Sequence, residues 1–414
     1  MTSGSTDIKI VRALAEQGDA QAMFTLGEWY TQGRVVPKDD VEAVRWYRMA
    51  AEQGLAEAQF QLGFMYGEGN GIAQDDFEAV RWYRMAAEQG NVAAQNNLGV
   101  MYEDGRGVPQ DDTEAVHWYR KAADQGDPDA QSNLGIMYAG GRGVPQSDTE
   151  SIHWWRLAAE QGFSQAQHNL GVSYANGWGV PQDDAEAVRW IRMAAEQGNA
   201  GSQTSLGTRY VQGRGVPQND YEAVRWYSLA VEQGVAEAQF QLGFMYGEGS
   251  GVPQDDTEVV RLYLLAAEQG HAGAQRNLGA RFGSGRGVPQ NDTEAVRWYR
   301  MAAEQGAPDA LVDLGTRYVQ GRGVPQDYRE ALHWFGVAAE QGVAEAQFQL
   351  GFMYGEGNGV SRDHVLAHKW FNLAAARGHA VAAVYLKRTE SLMTPREVDE
   401  AQRLAREWSE ARTK

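Results

Sequence analysis

Histidines at helical spacing, glycine-rich turns and columns of side-chain amides are the residues whose type and spacing can do chemistry in this chain. His364 and His368 stand i, i+4, which puts two ring nitrogens on one face of a helix, and His379 follows. The chain contains no cysteine, and no Glu-x-x-His completes a ligand set, so these read as surface helix histidines and no metal is expected. His117, His153 and His333 occupy a column that elsewhere holds arginine, as at Arg45. Gly-Arg-Gly-Val-Pro at residues 105–109 has the composition of a phosphate cradle. It follows a helical stretch rather than a strand, however, and its proline removes an N–H donor. Ser-x-x-Lys does not occur and a thiol nucleophile is impossible. No catalytic residue and no cofactor is expected, and the protein reads as a non-enzyme.

The amides are more regular. A Leu-Gly pair recurs along the chain, and the residue before its leucine is an amide in seven of ten copies, at Gln61, Asn97, Asn133, Asn169, Gln241, Asn277 and Gln349, and Thr25, Ser205 or Asp313 in the others. Two before the leucine stand Phe60, Asn96, Phe240 and Phe348; two after it stand Phe64, Phe244 and Phe352. Asn and Gln both donate and accept, and phenylalanine offers an apolar surface, so these columns have the chemistry to hold an extended chain. The same amides can instead cap or crosslink neighbouring helices, with the aromatics in the core.

Such columns need elements that repeat them. Gln-Gly stands at Gln53-Gly54, Gln89-Gly90 and onward to Gln341-Gly342 at a constant step of 36 residues. Leu-Gly keeps the same step from Leu26-Gly27 to Leu350-Gly351, and tryptophan does so from Trp46 to Trp370 with Leu262 the exception. Ten tandem copies without an insertion mean that each unit packs on its neighbour in one geometry.

One copy spans residues 91–126. Asn91 is an N-cap, and Ala94, Leu98, Met101 and Tyr102 fall at helical spacing in a helix A that Gly105 ends. Residues 105–109 make a turn. Asp111 with Glu114 has capping-box spacing, and Ala115, Trp118, Tyr119, Ala122 and Ala123 form the buried stripe of a helix B that Gly126 stops. Gly99 and the alanine pair let the two helices approach closely while the aromatic rings fill the gap.

The pattern A-x-x-x-L-G-x-x-Y-x-x-G-x-G-V-P-x-D, then A-x-x-W-Y and A-A-x-x-G, stands here as Ala94, Leu98-Gly99, Tyr102, Gly105, Gly107-Val108-Pro109, Asp111, Ala115, Trp118-Tyr119, Ala122-Ala123 and Gly126. It resembles the Sel-one-like repeat family, a relative of the tetratricopeptide repeat. The resemblance implies an all-α fold, a right-handed α/α superhelical solenoid of helix-turn-helix repeats, with helix A lining the concave face. It also implies roles as adaptors or scaffolds. By similarity to tetratricopeptide arrays, the amide and aromatic columns would face that groove. Secreted bacterial members of the family often carry a disulfide in each repeat, which argues against secretion for this chain. Residues 59–69 recur unchanged from Gln239 and from Gln347, reading either as three equivalent pockets with Phe pairs or as recent duplication.

The expected organisation is an N-terminal half-repeat over residues 1–18, ten repeats over 19–378 and C-terminal capping helices over 379–414. In the first, Ile10, Val11, Leu14 and Ala15 are the stripe. In the last, Thr394 and Glu397 make a capping box with Pro395 between, and Val398, Ala401, Leu404, Ala405 and Trp408 share a face. That helix either closes the core or docks to a partner. A formal charge of −18 repels nucleic acid and anionic membranes and steers towards basic partners. No stretch approaches a membrane span, and residues 1–10 lack a leader's basic and apolar regions, so a cytoplasmic monomer is expected. The reading is a non-enzymatic scaffold that binds a protein or peptide in the helix A groove. Its alternatives are an immunity or inhibitor protein clasping one toxin or enzyme, a cell-wall hydrolase, or a structural subunit using the helix B face. Carboxylates ending helix A, such as Glu68, Glu103 and Asp104, form either an acidic rim for a basic ligand or a solvated face.

Overall fold

The computed structural model describes residues 3–412, with side chains from Ile8 onward. Residues 1, 2, 413 and 414, the outermost parts of the two expected caps, lie outside the described residues. The described chain forms 23 helices and no strand, as the 36-residue pattern requires. It divides into two compact units, Met1–Arg209 with Gly213–Pro217, and Tyr210–Gln212 with Gln218–Lys414. Within each unit the helices pack chiefly on their neighbours in sequence, except the last, Pro395–Glu410, which packs on His364–Ala376.

The third repeat shows why these residues fold this way. Helix A runs Val92–Asp104, with the Asn91 side chain accepting from the Ala94 N–H at 2.9 Å. Gly105 at φ +69° ends it, donating to the Met101 carbonyl. Helix B runs Asp112–Asp124, and Asp111 accepts from the N–H groups of Thr113 and Glu114. The second half of the expected capping box is not made there. The Asp111 N–H goes instead to the Tyr102 carbonyl at 3.0 Å, tying helix B to helix A. Ala94, Leu98, Met101, Trp118 and Tyr119 are all buried. A Cβ on Gly99 would lie 2.7 Å from the Tyr119 ring, so glycine is what lets helices A and B touch. A Cβ on Gly107 would lie 2.2 Å from the Asp76 carbonyl oxygen, so the turn is seated against the preceding repeat. That contact fills the space an anion would need, and the Gly-Arg-Gly turn is a joint between repeats.

The ends depart from the sequence expectation in two places. Among the described side chains of the helix Ser3–Glu16 only Ala15 is fully buried; Val11 packs beside it, while Ile10 and Leu14 are 54% and 43% exposed. The stripe meets the next helix along one edge only. At the other end, Thr394 and Glu397 form both halves of the capping box on the helix Pro395–Glu410. Trp408 packs edge-on against Trp370 and donates to a Glu340 carboxylate oxygen at 3.1 Å. Arg377 and Arg412 lie over the Trp408 ring, and Ala401 and Ala405 are buried with it. The apolar face of this helix is therefore covered by the chain itself. His368, expected at the surface, is fully buried with its Nε2 3.1 Å from Glu390, because the short helix Ala382–Glu390 lies over it. His379 pairs separately with Glu345 at 3.0 Å. Among the described residues no three His, Cys, Asp or Glu side chains converge to hold a metal.

Candidate functional site

A binding face must offer groups that packing has not used, and by this criterion the two helices of a repeat differ. On helix B the recurrent arginines are engaged. Arg45, Arg81 and Arg189 lie over Trp46, Trp82 and Trp190 at 5.7, 5.0 and 4.9 Å from the ring centroids. Each also pairs with the glutamate three residues earlier, Glu42, Glu78 or Glu186. Arg48, Arg84, Arg120 and Arg156 donate to the tyrosine hydroxyl of the following helix A, at Tyr66, Tyr102, Tyr138 and Tyr174.

Two ladders that join repeats were not anticipated. Gln89 donates to the Gln59 side-chain oxygen at 2.7 Å, and Gln59, 1% exposed, donates to the Ala51 carbonyl at 3.1 Å. The same relay runs through Gln125, Gln95 and Ala87, and through Gln197, Gln167 and Ala159. Leu311 interrupts this column, and Gln341 turns to the Gly306 carbonyl instead. Beyond the last Gln-Gly, Arg377 stands in the glutamine frame, and the Gln347 Oε1 is buried with no partner. The second ladder is ionic: Arg106 binds Asp76 at 2.8 Å, Arg142 binds Asp112 at 3.0 Å, and Arg214 binds Asp184 at 3.1 Å, each reaching back one repeat. The signal was visible as Ala-Gln and Gly-Arg-Gly at the same 36-residue step, but the glutamines served only to mark the period and the arginines only to fill a turn.

The amide column chosen from the sequence is half-buried and only loosely crosslinked. Asn133 donates to the Asn96 side chain of the preceding repeat at 3.2 Å. Asn169 accepts from Gln165 within its own helix, and Gln241 and Gln349 donate to Glu237 and Glu345 one turn earlier. Asn97 and Asn277 sit beside the hydroxyls of Tyr83 and Tyr263. Burial pushes the Tyr83 hydroxyl up to about 12, against a smaller lowering by Asn97. Gln61 is half-buried beside them in the series.

The aromatic columns separate. Phe60, Phe240 and Phe348 are half-buried against Tyr83, Tyr263 and Phe371 of the paired helix B, with centroids 5.9, 5.6 and 5.6 Å apart. Phe240 also stacks on His271 at 4.5 Å and Phe348 on His379 at 4.3 Å, so these rings fasten one repeat to the next. Phe64, Phe244 and Phe352 are 40%, 51% and 37% exposed. Their identical segments sit in different surroundings. Phe64 opens on a cleft of 170 Å³ lined by Tyr83, Asn97, Val100, Met101 and Arg106, with Glu68 at its edge. By Phe244, the Arg281 side chain approaches Gly247 where the cleft has methionine. Phe352 is edge-on to Tyr385. The three sites are not equivalent, because each takes its far wall from a different following repeat.

Ten matches to the Sel1 repeat model fall between residues 20 and 379, beginning with 20–55 and ending with 344–379. The chain belongs to the Sel1 repeat family. The crystal structure of a protective antigen from uropathogenic Escherichia coli, displaying an SLR fold, is 34% identical, covers 97% of this chain and 94% of its own, and superposes with a TM-score of 0.67. A Sel1 repeat protein from Oxalobacter formigenes is likewise 34% identical over 76% of this chain and 94% of its own, with a TM-score of 0.59. Among curated proteins the chain has no match. Sel1 repeat proteins generally mediate protein–protein interaction and are generally non-enzymatic. No described helix is long and apolar enough to cross a membrane.

Proposed function

We propose that this Sel1 repeat protein is a non-enzymatic scaffold whose partner, a protein or peptide, lies on the exposed side of helix A. The observation that carries this reading is the contrast between the two helices. The helix B arginines Arg45, Arg81 and Arg189 are each committed to a tryptophan and a glutamate, and the exposed Phe77 and Tyr221 of helix B stand in its first turn, away from any amide column. Helix A instead presents Phe64, Phe244 and Ile136 at 40%, 51% and 39% exposure beside half-buried amides. Exposed aromatic side chains beside polar groups with spare donors and acceptors are what a protein interface uses as anchors and register marks.

The test is affinity capture from native lysate with two matched variants. Phe64→Ala with Phe244→Ala is expected to abolish recovery of the partner that the parent retains. Arg45→Ala, Arg81→Ala and Arg189→Ala together are expected to leave recovery intact. The opposite pattern would move the interface to helix B. The Asn97→Ala, Asn133→Ala and Asn169→Ala combination should weaken capture while shifting the melting temperature little, since each lost bond to a ligand is worth about 0.5–1.5 kcal/mol. Early melting with normal capture would assign those amides to the framework.

A further inference from the structure

The charges on the first five repeats are segregated by helix. The helices Ala20–Gln32, Ala56–Glu68, Val92–Asp104, Pro128–Gly140 and Ser164–Asn176 carry Glu28, Glu57, Glu68, Glu103, Asp104 and Asp129, and neither lysine nor arginine. Their one histidine, His168, is half-buried against Ser202, and partial burial lowers its pKa. The cations of these repeats sit on helix B and in the turns, where Trp46 holds Arg45, Tyr66 holds Arg48 and Asp76 holds Arg106.

At the Phe64 cleft this imbalance is local. Glu68, Glu103, Asp104, Asp76 and Asp112 face two guanidiniums, Arg106 and Arg142. Arg106 is spent on Asp76 and the Gly67 carbonyl, and Arg142 on Asp112 and Glu103. Glu68 and Asp104 stay exposed, and each is the last residue of its helix, where the backbone carbonyls already point negative charge outward. No basic residue occupies the last turn of either helix. Beside Glu68 lies the 170 Å³ cleft walled by Phe64, Val100 and Met101, with Tyr83, Asn97 and Arg106 completing its lining, large enough for a group of about the size of a benzene ring. Asp76, Glu68 and Asp104 share the single guanidinium of Arg106, so the apolar wall is bordered by carboxylates in excess and matches a side-chain pair of apolar and basic character.

We infer that the cleft at Phe64 takes a basic extended segment, seating an aliphatic or aromatic side chain against Phe64 and Val100 while a neighbouring lysine or arginine pairs with Glu68 or Asp104. This rests on the reading that helix A is the binding side, and it names the chemical class of the partner. An acidic or neutral segment would leave the rim carboxylates facing like charge or unpaired.

The test is a fluorescence anisotropy titration of the full chain with three labelled peptides, of alternating lysine and leucine, glutamate and leucine, and lysine and serine. The lysine–leucine peptide is expected to bind at least about tenfold more tightly than either other. Glu68→Gln with Asp104→Asn should weaken it about tenfold, and so should Phe64→Ala. The control is Glu88→Gln with Asp124→Asn, which removes the same charge from the ends of the adjacent helices B and should change affinity less than about twofold. Equal weakening by the control would overturn the inference by assigning the effect to net charge alone. So would a glutamate–leucine peptide that binds as tightly. If the lysine–leucine peptide fails to bind while Phe64→Ala still abolishes partner capture, the basic class is wrong and the helix A reading stands. If Phe64→Ala leaves capture intact, the helix A reading itself falls.

Discussion

At the scale of single residues, close approach and buried polar pairing set the tolerance of the frame. Gly99→Val should be severely destabilising, since its Cβ would meet the fully buried Tyr119 ring at 2.7 Å and a branched side chain cannot be absorbed without moving helix A. Overpacking of this kind costs about 1–3 kcal/mol or more, read as a fall in the chemical-denaturation midpoint. Gln95→Leu tests the buried relay. The shape is accommodated, as Leu311 shows, but the Ala87 carbonyl keeps only its backbone donors and Gln125 loses one bond, a cost of about 0.5–1.5 kcal/mol for each lost bond. Parent-like melting would mean the relay is incidental. Asp184 and Asp256 answer to pH. Arg209 and Arg281 first, then Arg214 and Arg286, hold these carboxyls below the usual range. A depressed folded-state pKa gives stability that is present above the unfolded value near about 4 and lost as pH falls through the folded one. The parent should therefore lead Asp184→Asn with Asp256→Asn in melting temperature at neutral pH, and the lead should shrink between about pH 5 and about pH 2.

At the scale of helices and turns, caps decide where each element begins. Asp111→Ala removes the acceptor for two N–H groups at the start of helix B and should cost about 0.5–2 kcal/mol, and Asp111→Asn or Asp111→Ser should restore most of it, as Asn291 and Ser147 serve at that position in other repeats. Helix bounds were legible to within a residue or so, because Asn91, Gly105, Asp111 and Gly126 carry their own backbone preferences whatever surrounds them. The burial of Ala94, Leu98, Trp118 and Tyr119 was legible too, since helical spacing alone puts them on one face. What the spacing could not show was the partner of each polar side chain. Gln59 and Asn97 look alike in sequence, yet one is 1% exposed in a relay between repeats and the other lines an open cleft. That difference depends on how neighbouring helices rotate against each other, which a single repeat does not encode. The same limit explains Phe60 and Phe64. A sequence gives the two rings i, i+4 spacing, and only packing turns the first onto Tyr83 and leaves the second outward.

At the scale of the whole array, the constant step makes a strong and unusual claim about deletion. Removing residues 91–126 joins Gly90 to Asp127, and the frame finds a replacement one step back, except that Arg142 loses Glu103 to Gly67 and Asn133 loses Asn96 to Phe60. The Gln131 side chain, which donates to the Ala123 carbonyl, meets Ala87 in its place. Arg142 exchanges Asp112 for Asp76, and Gly143 finds the Asp76 carbonyl where it had that of Asp112. The shortened chain should therefore fold, keep its helical signal per residue, and melt cooperatively, losing only the contribution of one repeat and its interface. Removing residues 91–108 instead sets one helix B directly after another. Trp118 and Tyr119 then lose the surface of Leu98 and Gly99, and the exposed stripe should drive aggregation, seen by light scattering at temperatures where the whole-repeat deletion stays clear. The whole-repeat deletion also reports on the site. It keeps Phe64 but rebuilds the far wall of its cleft from Asn133, Ile136, Met137 and Arg142, with Gly140 where Asp104 stood. A folded variant with weakened capture of the basic peptide would show that the third repeat supplies part of the binding surface as well as part of the frame.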